Sequence, residues 1–228
     1  MTPDQSPWER RGLPHTLVPM RVAVIGASRG VGRHIVEQAL ARGHEVTAAV
    51  RNPADVKLRH ERLWTVACDA LDKTAVAATL QEQDVVFCSL GTDSRGPTTL
   101  YSSAAQNVLA GMRQHGVRRL VYLSNFGVAD ESATDFMSLM MLVLARQVIR
   151  HTLADHRRTL EALIHSDLEW VAVRPMALTD GPLTGRYRVD AWGLPHKGRS
   201  IARADVADFM LNQAQDVRYL KLAPAIAY

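Results

Sequence analysis

A glycine-spaced turn between a short apolar strand and a helix constrains the fold of this chain more than any other feature. The stretch RVAVIGASRGVG at 21–32 carries glycines at 26, 30 and 32 after an apolar run. Gly26 permits a tight turn after the strand, Gly30 lets the backbone approach a phosphate, and Gly32 lets the helix pack on the sheet. A helix that begins here offers free N–H groups to a pyrophosphate. The stretch therefore predicts a dinucleotide-binding unit, with a glycine-rich turn that holds no ligand as the alternative.

Strand-like and helix-like segments alternate along the first half of the chain. Apolar or β-branched runs predict strands at 22–25, 45–50, 63–67, 84–89 and 119–124. Helical spacing predicts helices at 31–42, 72–80 and 98–115. A strand followed by a helix-length segment is typical of a parallel sheet with helices on both faces. We therefore predict an α/β fold, a doubly wound parallel sheet of Rossmann-like type.

The second half of the chain is less regular, and it predicts a small C-terminal substrate region within the same single domain. Helices are expected at 134–150 and 153–165, and a sixth strand at 168–173 that ends at Arg174-Pro175. A loop is expected at 176–187, followed by shorter elements: a strand at 187–190, a strand end and helix within 200–213, and a last strand at 220–222. Residues 1–20 contain four prolines and are expected to form a flexible tail, which leaves 21–228 as the folded domain.

The charge of the chain narrows the class of ligand. The formal net charge is +4 and the pI is near 9.3, but the basic residues are spread along the chain and aromatics are only 6%. Nucleic-acid-binding proteins concentrate basic residues in one patch and add aromatics that stack on bases. We therefore expect no nucleic-acid partner. A basic pocket for a small anionic ligand accounts for the same charge.

Location and redox state also follow from the composition. The most apolar stretch, FMSLMMLVLARQVI at 136–149, is shorter than the roughly 20 residues of a membrane span. The N-terminal segment has no apolar signal core. We therefore predict a cytoplasmic protein without membrane contact. Cys68 and Cys88 each end an apolar run and are expected to be reduced core residues, and no Cys/His cluster has the spacing of a metal site.

Two arginines indicate which dinucleotide the glycine turn holds. An NAD site usually places an acid after the second strand, where it accepts a hydrogen bond from the ribose 2′-hydroxyl. Here that strand ends TAAVRNP, so Arg51 follows it, and Arg29 lies inside the glycine turn. Two guanidinium groups would bind a 2′-phosphate that an acid would repel. We predict NADP(H), with two solvated surface arginines as the alternative.

Further candidate residues follow the later strands, at the carboxyl edge where such sheets bind ligands. Asp69 is placed to accept from the adenine amino group, Leu90-Gly91-Thr92 to border the adenosine ribose, and Ser124 to lie at the end of the fifth strand. Each position alone also fits a structural role. The full predicted cofactor-binding set is Gly26, Ser28, Arg29, Gly30, Val31, Gly32, Arg51, Asp69, Ala70, Leu90, Gly91, Thr92, Ser124 and Pro175.

From position 21 to its end, the chain resembles the short-chain dehydrogenase/reductase superfamily. The glycine spacing resembles the main branch. The stretches Asp155-His156, LEWVAVRP and DGPLTGRY resemble its atypical, NAD(P)-binding branch, which includes the flavin reductase/biliverdin reductase B type and the NmrA-like proteins. The resemblance implies a Rossmann-like domain with a shallow substrate site over the nicotinamide.

The chain departs from the main branch at the catalytic pair, because no tyrosine has a lysine four positions on. In the flavin reductase type, a serine after the fifth strand and a histidine on the next helix border the nicotinamide. Ser124 matches that serine, whereas the histidine position falls on Leu160. His156 lies one turn away and is the candidate acid. The alternative is a histidine on the helix surface.

These observations predict an NADPH-dependent reductase that passes a hydride to a flat, electron-poor acceptor such as a flavin, quinone or enone. Such acceptors need little help with proton transfer, which tolerates the missing tyrosine. The expected catalytic residues are Ser124 and His156. A non-catalytic NADP(H)-binding redox sensor that contacts a partner protein through 136–149 is the alternative. A small-molecule acceptor is the expected partner. The sequence does not decide between a monomer and a homodimer.

Overall fold

The glycine turn opens a mostly parallel sheet. The protein is represented by a computed structural model that describes residues 18–94, 96–129 and 136–228. The strands of the described residues are β1 (Arg21–Ile25), β2 (Glu45–Val50), β3 (Leu63–Ala67), β4 (Val85–Cys88), β5 (Arg119–Leu123), β6 (Glu169–Pro175), β7 (Ala177–Thr179), β8 (Arg188–Asp190), β9 (Ser200–Ala202) and β10 (Ala225–Ala227).

Helices follow most of the parallel strands. Those of the described residues are α1 (Gly30–Ala41), α2 (Lys73–Thr79), α3 (Leu100–His115), α4 (Phe136–Val148), α5 (Arg150–Ile164) and α6 (Arg203–Asn212), with a short 3-10 helix at Pro53–Asp55. Local chemistry sets several of these bounds. The Asp72 carboxylate caps α2 by accepting from the backbone N–H groups of Thr74 and Ala75, and Gly116 ends α3 in the left-handed region.

The strand order places a crevice at the predicted glycine turn. The main sheet runs β3-β2-β1-β4-β5-β6-β10-β8, and β7 pairs with β9 separately. β1 pairs in parallel with β2 on one side and with β4 on the other, so the winding reverses between β1 and β4. Open α/β sheets bind ligands outside the strand carboxyl ends at such a reversal. The predicted doubly wound, Rossmann-like α/β fold is confirmed.

Alternating side chains divide the core into two layers, one on each face of the sheet. On β1, Val22 and Val24 join one apolar cluster, and Ala23 and Ile25 join the other. The first cluster is covered by α1 and α6, and the second by α2, α3 and part of α5. Cys68 and Cys88, which the sequence predicts to be reduced core residues, are free and buried thiols, so no disulfide joins them.

The C-terminal part of the sheet corrects the sequence analysis. β6 continues through Arg174 and Pro175, because β10 pairs beside them with Ala225 opposite Arg174. Pro175 has no N–H to donate, but as the last residue of its strand it interrupts no ladder. The last strand lies at 225–227 rather than 220–222, where Leu222 makes only an isolated bridge. The expected loop at 176–187 contains β7.

The bounds of the predicted tail fall partly outside the described residues. The described residues do not include 1–17 of the predicted tail or 134–135 of the predicted fourth helix. Met20 is part of the fold: its backbone N–H donates to His44 Nδ1 at 3.2 Å, and its carbonyl accepts from the Glu45 N–H at 2.9 Å. In the described part of the chain, no helix combines the length and the apolar character that crossing a bilayer requires.

Candidate functional site

The glycine turn is a tightly packed backbone crossing at the carboxyl end of β1. Gly26 has a φ of +87°, and a Cβ built on it would lie 2.3 Å from the carbonyl oxygen of Ser89. A Cβ on Gly32 would lie 2.1 Å from the carbonyl oxygen of Gly26. Only glycine fits at either position, because backbone atoms occupy the space that a side chain would take. The turn therefore has the geometry that the sequence predicts.

The N-terminus of α1 is open above this turn. Gly30 has a φ of +57°, and among the described atoms outside the turn and its helix, those nearest to a Cβ built there belong to the Arg203 side chain, at 4.0 Å. Among the described residues no side chain caps α1, and its first turn contains no acid. The backbone N–H groups at Gly30, Val31 and Gly32 are therefore available to an anion. This cradle fits the pyrophosphate of a dinucleotide.

The two arginines predicted to bind a 2′-phosphate have different surroundings. Arg29 extends toward the segment after β4, where its Nη2 donates to Asp93 Oδ2 at 3.0 Å. Arg51 is exposed directly after β2. The structure pairs Arg29 with an acid, and both partners of that pair are exposed. Such an exposed pair contributes little to stability, so a phosphate can replace the carboxylate.

A groove of about 320 Å³ borders the glycine turn on the side of the segment that follows β2. Its lining residues are Ala27, Ser28, Arg33, Val36, Glu37, Asp55, Val56, Lys57 and Leu58. Arg33 Nε donates to Glu37 Oε1 at 2.7 Å, so these two charges largely balance. Lys57 and Asp55 line this groove and are candidate site residues that sequence reasoning missed. Asp55 and Lys57 lie five and seven positions beyond the end of β2, farther along the chain than the residue that directly follows the strand.

The other predicted adenosine contacts lie at the same sheet edge. Leu90 Cδ2 is 3.3 Å from the Cβ position of Gly26, which places the segment after β4 beside the glycine turn. Asp69 is exposed after β3, and its carboxylate accepts from the Leu71 N–H at 3.0 Å. The Ala70 carbonyl accepts from Asn107 Nδ2, and Thr92 Oγ1 accepts from the Ser94 N–H. These bonds fix the loops that border the crevice.

The acceptor side of the crevice is formed by the ends of β5 and β6. Ser124 follows β5 and its N–H donates to the Val173 carbonyl at 2.8 Å, while Pro175 is buried at the end of β6. Within the described residues, Asn125 Oδ1 is buried without a hydrogen-bond partner. An unpaired buried acceptor is costly, so Asn125 is a further candidate for a ligand contact. Sequence reasoning stopped at Ser124 and missed it.

His156 lies in the interior rather than on a helix surface. Its side chain is 3% exposed and stacks on Tyr101 with ring centroids 4.0 Å apart. The Tyr122 hydroxyl and His156 Nδ1 lie 2.9 Å apart and share a hydrogen bond. Burial lowers the pKa of His156 from 6.5 to about 4, so the imidazole is neutral at pH 7. Its predicted role as an acid stays a prediction that this geometry does not favour.

Asp155 precedes His156 in the Asp155-His156 stretch that carries part of the family resemblance, and its carboxylate binds the start of α3. It is fully buried, and its carboxylate accepts from the backbone N–H of Tyr101 at 2.9 Å and the Ser102 hydroxyl at 2.5 Å. Arg158 Nη2 donates to it at 3.0 Å. Asp155 therefore satisfies N–H groups that the helix itself leaves unpaired. The pair Asp155-His156 is a structural unit behind the crevice.

The C-terminal region is anchored by a second buried carboxylate. Asp205 accepts from the Thr184 hydroxyl at 2.8 Å, the Gly185 N–H at 2.7 Å and the Tyr228 hydroxyl at 2.6 Å. The same helix begins with Arg203, whose Nη1 donates to Asp180 Oδ1 at 2.6 Å. The stretch DGPLTGRY is therefore attached to the start of α6 at two points.

The match to known proteins agrees with this geometry. Residues 26–217 match a family model described as NAD(P)H-binding. The chain belongs to this NAD(P)H-binding family. Family membership and the Rossmann-like sheet together identify the crevice at the glycine turn as an NAD(P)H-binding site. The NAD(P)-binding character that the sequence resemblance implies is confirmed.

Individual relatives extend the comparison. Over 117 residues the chain is 33% identical to cinnamoyl-CoA reductase 2 of Arabidopsis thaliana, covering 46% of this chain and 35% of that enzyme. The chain thus spans about a third of the length of the cinnamoyl-CoA reductases that it matches. A crystal structure from Burkholderia pseudomallei is 27% identical with a TM-score of 0.75, covering 92% of this chain and 100% of that one. ChuY, an anaerobilin reductase from Escherichia coli O157:H7, shares the fold at 22% identity, with a TM-score of 0.76 over 91% of this chain and 96% of its own.

Proposed function

We propose that this NAD(P)H-binding protein is an NADPH-dependent reductase that transfers a hydride to a flat, electron-poor acceptor of flavin, quinone or enone type. The observation that carries the proposal is the open N-terminus of α1 above a glycine turn that only glycine fits. The bound dinucleotide supplies the hydride. The chain supplies binding, orientation and the polar groups at the crevice. The name of the aligned plant reductase supports the same reaction class.

The preference for NADPH rests on the charges beside the groove. Lys57 lines the groove, Arg51 is exposed directly after β2, and Arg29 is available from its weak pair with Asp93. Asp55 is the opposing charge at the same groove. The three cations Arg29, Arg51 and Lys57 outnumber the two acids Asp55 and Asp93, which favours a 2′-phosphate over a 2′-hydroxyl.

The acceptor class follows from the groups at the ends of β5 and β6. Ser124 and Asn125 are polar groups that can orient a substrate or the nicotinamide carboxamide. The nearby Tyr122 is 2% exposed, and burial raises the pKa of its hydroxyl well above the ordinary value. Tyr122 is therefore not a proton donor to a substrate. An acceptor that takes its proton from solvent fits such a site.

The test combines a cofactor titration with an acceptor screen. We expect the wild-type protein to bind NADPH more tightly than NADH and to oxidise NADPH when flavins or quinones are added. Arg29→Ala with Arg51→Ala should reduce the NADPH preference by roughly tenfold or more, because two charged phosphate contacts are lost. Arg113→Ala, which removes an exposed arginine paired with Asp167, is the matched control.

Two results would contradict this proposal. Equal affinity of the parent protein for NADPH and NADH would overturn the cofactor preference. Tight NADPH binding with no oxidation across the whole acceptor series would overturn the reductase.

A specific observation favours the redox-sensor alternative in that second case. Helix α4 exposes apolar side chains at Leu139, Met140, Val143, Leu144 and Val148. An exposed apolar stripe of this kind can contact a partner protein. If the acceptor screen fails, this stripe is the surface through which an NADP(H)-binding sensor would act. A pull-down with and without NADPH, using Leu144→Glu as the variant, tests that case.

A further inference from the structure

Arg203 lies over the phosphate cradle, although it is 173 positions from Gly30 in the chain. Its Cδ and Nε atoms are each 4.0 Å from a Cβ built on Gly30, nearer than any other described atom outside the turn. Gly30 is the first residue of α1 and carries one of its free N–H groups. The guanidinium is therefore beside the position at which a pyrophosphate would meet the helix.

Packing between α6 and α1 holds Arg203 in this place. Gln38 Nε2 on α1 donates to the Ala204 carbonyl at 2.8 Å, and Arg42 Nη2 donates to Asp208 at 2.5 Å. Both bonds join the two helices directly, so the first residue of α6 has a fixed position relative to the glycine turn. The Arg203 side chain is 28% exposed, which leaves its guanidinium accessible to a ligand.

The present partner of Arg203 is a weak one. Its Nη1 donates to Asp180 Oδ1 at 2.6 Å, and the Asp180 side chain is 89% exposed. An ion pair with so exposed a carboxylate contributes little to stability. A phosphate offers the guanidinium two parallel charge-assisted hydrogen bonds, and the helix N-terminus attracts the same anion.

We propose that Arg203 leaves Asp180 and binds the pyrophosphate of the dinucleotide, as a cofactor-binding residue contributed by the C-terminal region. This inference rests on the proposed function, because it requires a dinucleotide on the glycine turn. Arg203 acts on the phosphates that NADPH and NADH share, whereas Arg29 and Arg51 act on the 2′-phosphate. Asp180 competes for Arg203 and weakens the binding of both dinucleotides.

The experiment measures the affinity of the full chain for NADPH and for NADH. Arg203→Met should weaken both about tenfold or more, by the same factor, because it removes a charged contact to the shared pyrophosphate. Asp180→Asn should strengthen both severalfold. In the Arg203→Met background, Asp180→Asn should have little further effect. Arg218→Met and Asp167→Asn each remove an exposed charged side chain elsewhere and should leave both affinities unchanged.

The outcomes separate this inference from the proposed function. Unchanged affinities in Arg203→Met, with a parent protein that binds NADPH, would overturn the role of Arg203 alone. A loss confined to NADPH would place Arg203 on the 2′-phosphate and overturn the pyrophosphate assignment. A parent protein that binds neither dinucleotide would overturn the proposed function itself. If Arg203→Met does not fold, Arg203→Lys is the second variant. Lysine keeps the positive charge but cannot form two parallel hydrogen bonds to a phosphate, so the affinity for both dinucleotides should fall by a smaller factor.

Discussion

Two buried carboxylates, Asp155 and Asp205, show how the same residue type stabilises two different parts of this protein. Both are 0% exposed and each accepts several hydrogen bonds. Asp155 binds the backbone at the start of α3, which is a helix of the central fold. Asp205 binds the loop at 184–185 and the hydroxyl of the terminal Tyr228.

The difference lies in what each carboxylate connects. The partners of Asp155 belong to α3 and α5, which cover one face of the sheet, so a change there affects the cooperative core. The partners of Asp205 belong to the loop at 184–185 and to Tyr228, which directly follows β10, so we expect the loop to open locally while the central strands stay folded. Equal burial therefore does not mean an equal share in global stability.

The largest expected effect is on global stability at Asp155. Asp155→Ala should lower the free energy of unfolding by about 3 to 5 kcal/mol, because interior N–H and hydroxyl groups on α3 lose their acceptor. Asp205→Ala should cost clearly less in the same urea titration. Asp167→Ala, at an exposed position, is the control and should change little. Equal losses at Asp155 and Asp205 would contradict the distinction.

The pH dependence of stability gives the second test, since only the Asp155 cluster includes a buried histidine. Burial lowers the pKa of His156 from 6.5 to about 4, so the unfolded chain binds more protons between these values. Stability is then complete above pH 6.5 and falls by roughly 3 kcal/mol as the pH drops through 4. His156→Gln should flatten this slope. His44, whose pKa burial also lowers, contributes to the slope that remains.

The Asp205 cluster responds in a lower pH range. Burial opposes the charge of Asp205, but hydrogen bonds from Tyr228, Gly185 and Thr184 together lower its pKa below the ordinary 3.8. The contribution of Asp205 to stability is therefore present above pH 3.8 and is lost only as the pH falls further.

The His156 prediction has its own contradicting outcome. If His156→Gln kept the full loss of stability between pH 6.5 and 4, His156 would not be the source of that loss.

The smallest expected effect is local and lies at Asp205. Asp205→Asn should cost about 1 to 2 kcal/mol, because an amide NH2 cannot accept the hydroxyl hydrogen bonds of Thr184 and Tyr228, and the neutral amide oxygen binds the Gly185 N–H less strongly than a carboxylate does. Amide exchange at Gly185 should accelerate roughly tenfold while the strands of the main sheet keep their protection. Hydrogen exchange with mass spectrometry reads both regions. A uniform rise across the sheet would show that Asp205 supports the global fold.

Much of the N-terminal half could be predicted from the sequence, since its signals are local. The strands β2 and β3 have the predicted bounds, and the glycine turn has the predicted geometry. The same reasoning placed the last strand at 220–222 instead of 225–227. That strand is short and pairs with β6 through only two residues, so pairing rather than periodicity selects it.

Site residues divide in the same way. The sequence indicated Gly26, Gly30 and Gly32 because backbone sterics demand glycine at such a crossing. For His156 the sequence allowed two interpretations, a catalytic acid or a histidine on the helix surface. The structure instead buries its side chain against Tyr101 and Tyr122. Burial depends on which helix packs over a residue, and one chain segment does not contain that information.

By itself, the sequence determined the phosphate-binding turn, the strand–helix alternation and the absence of a tyrosine–lysine pair. These features depend on neighbouring residues, whose spacing sets turns and periodicity. Only the tertiary structure decided that Asp155 holds the start of α3, 54 positions earlier, and that Arg203 lies over Gly30. Such contacts form when α5 and α6 pack on opposite faces of the sheet, because that packing brings residues together that are far apart in the chain.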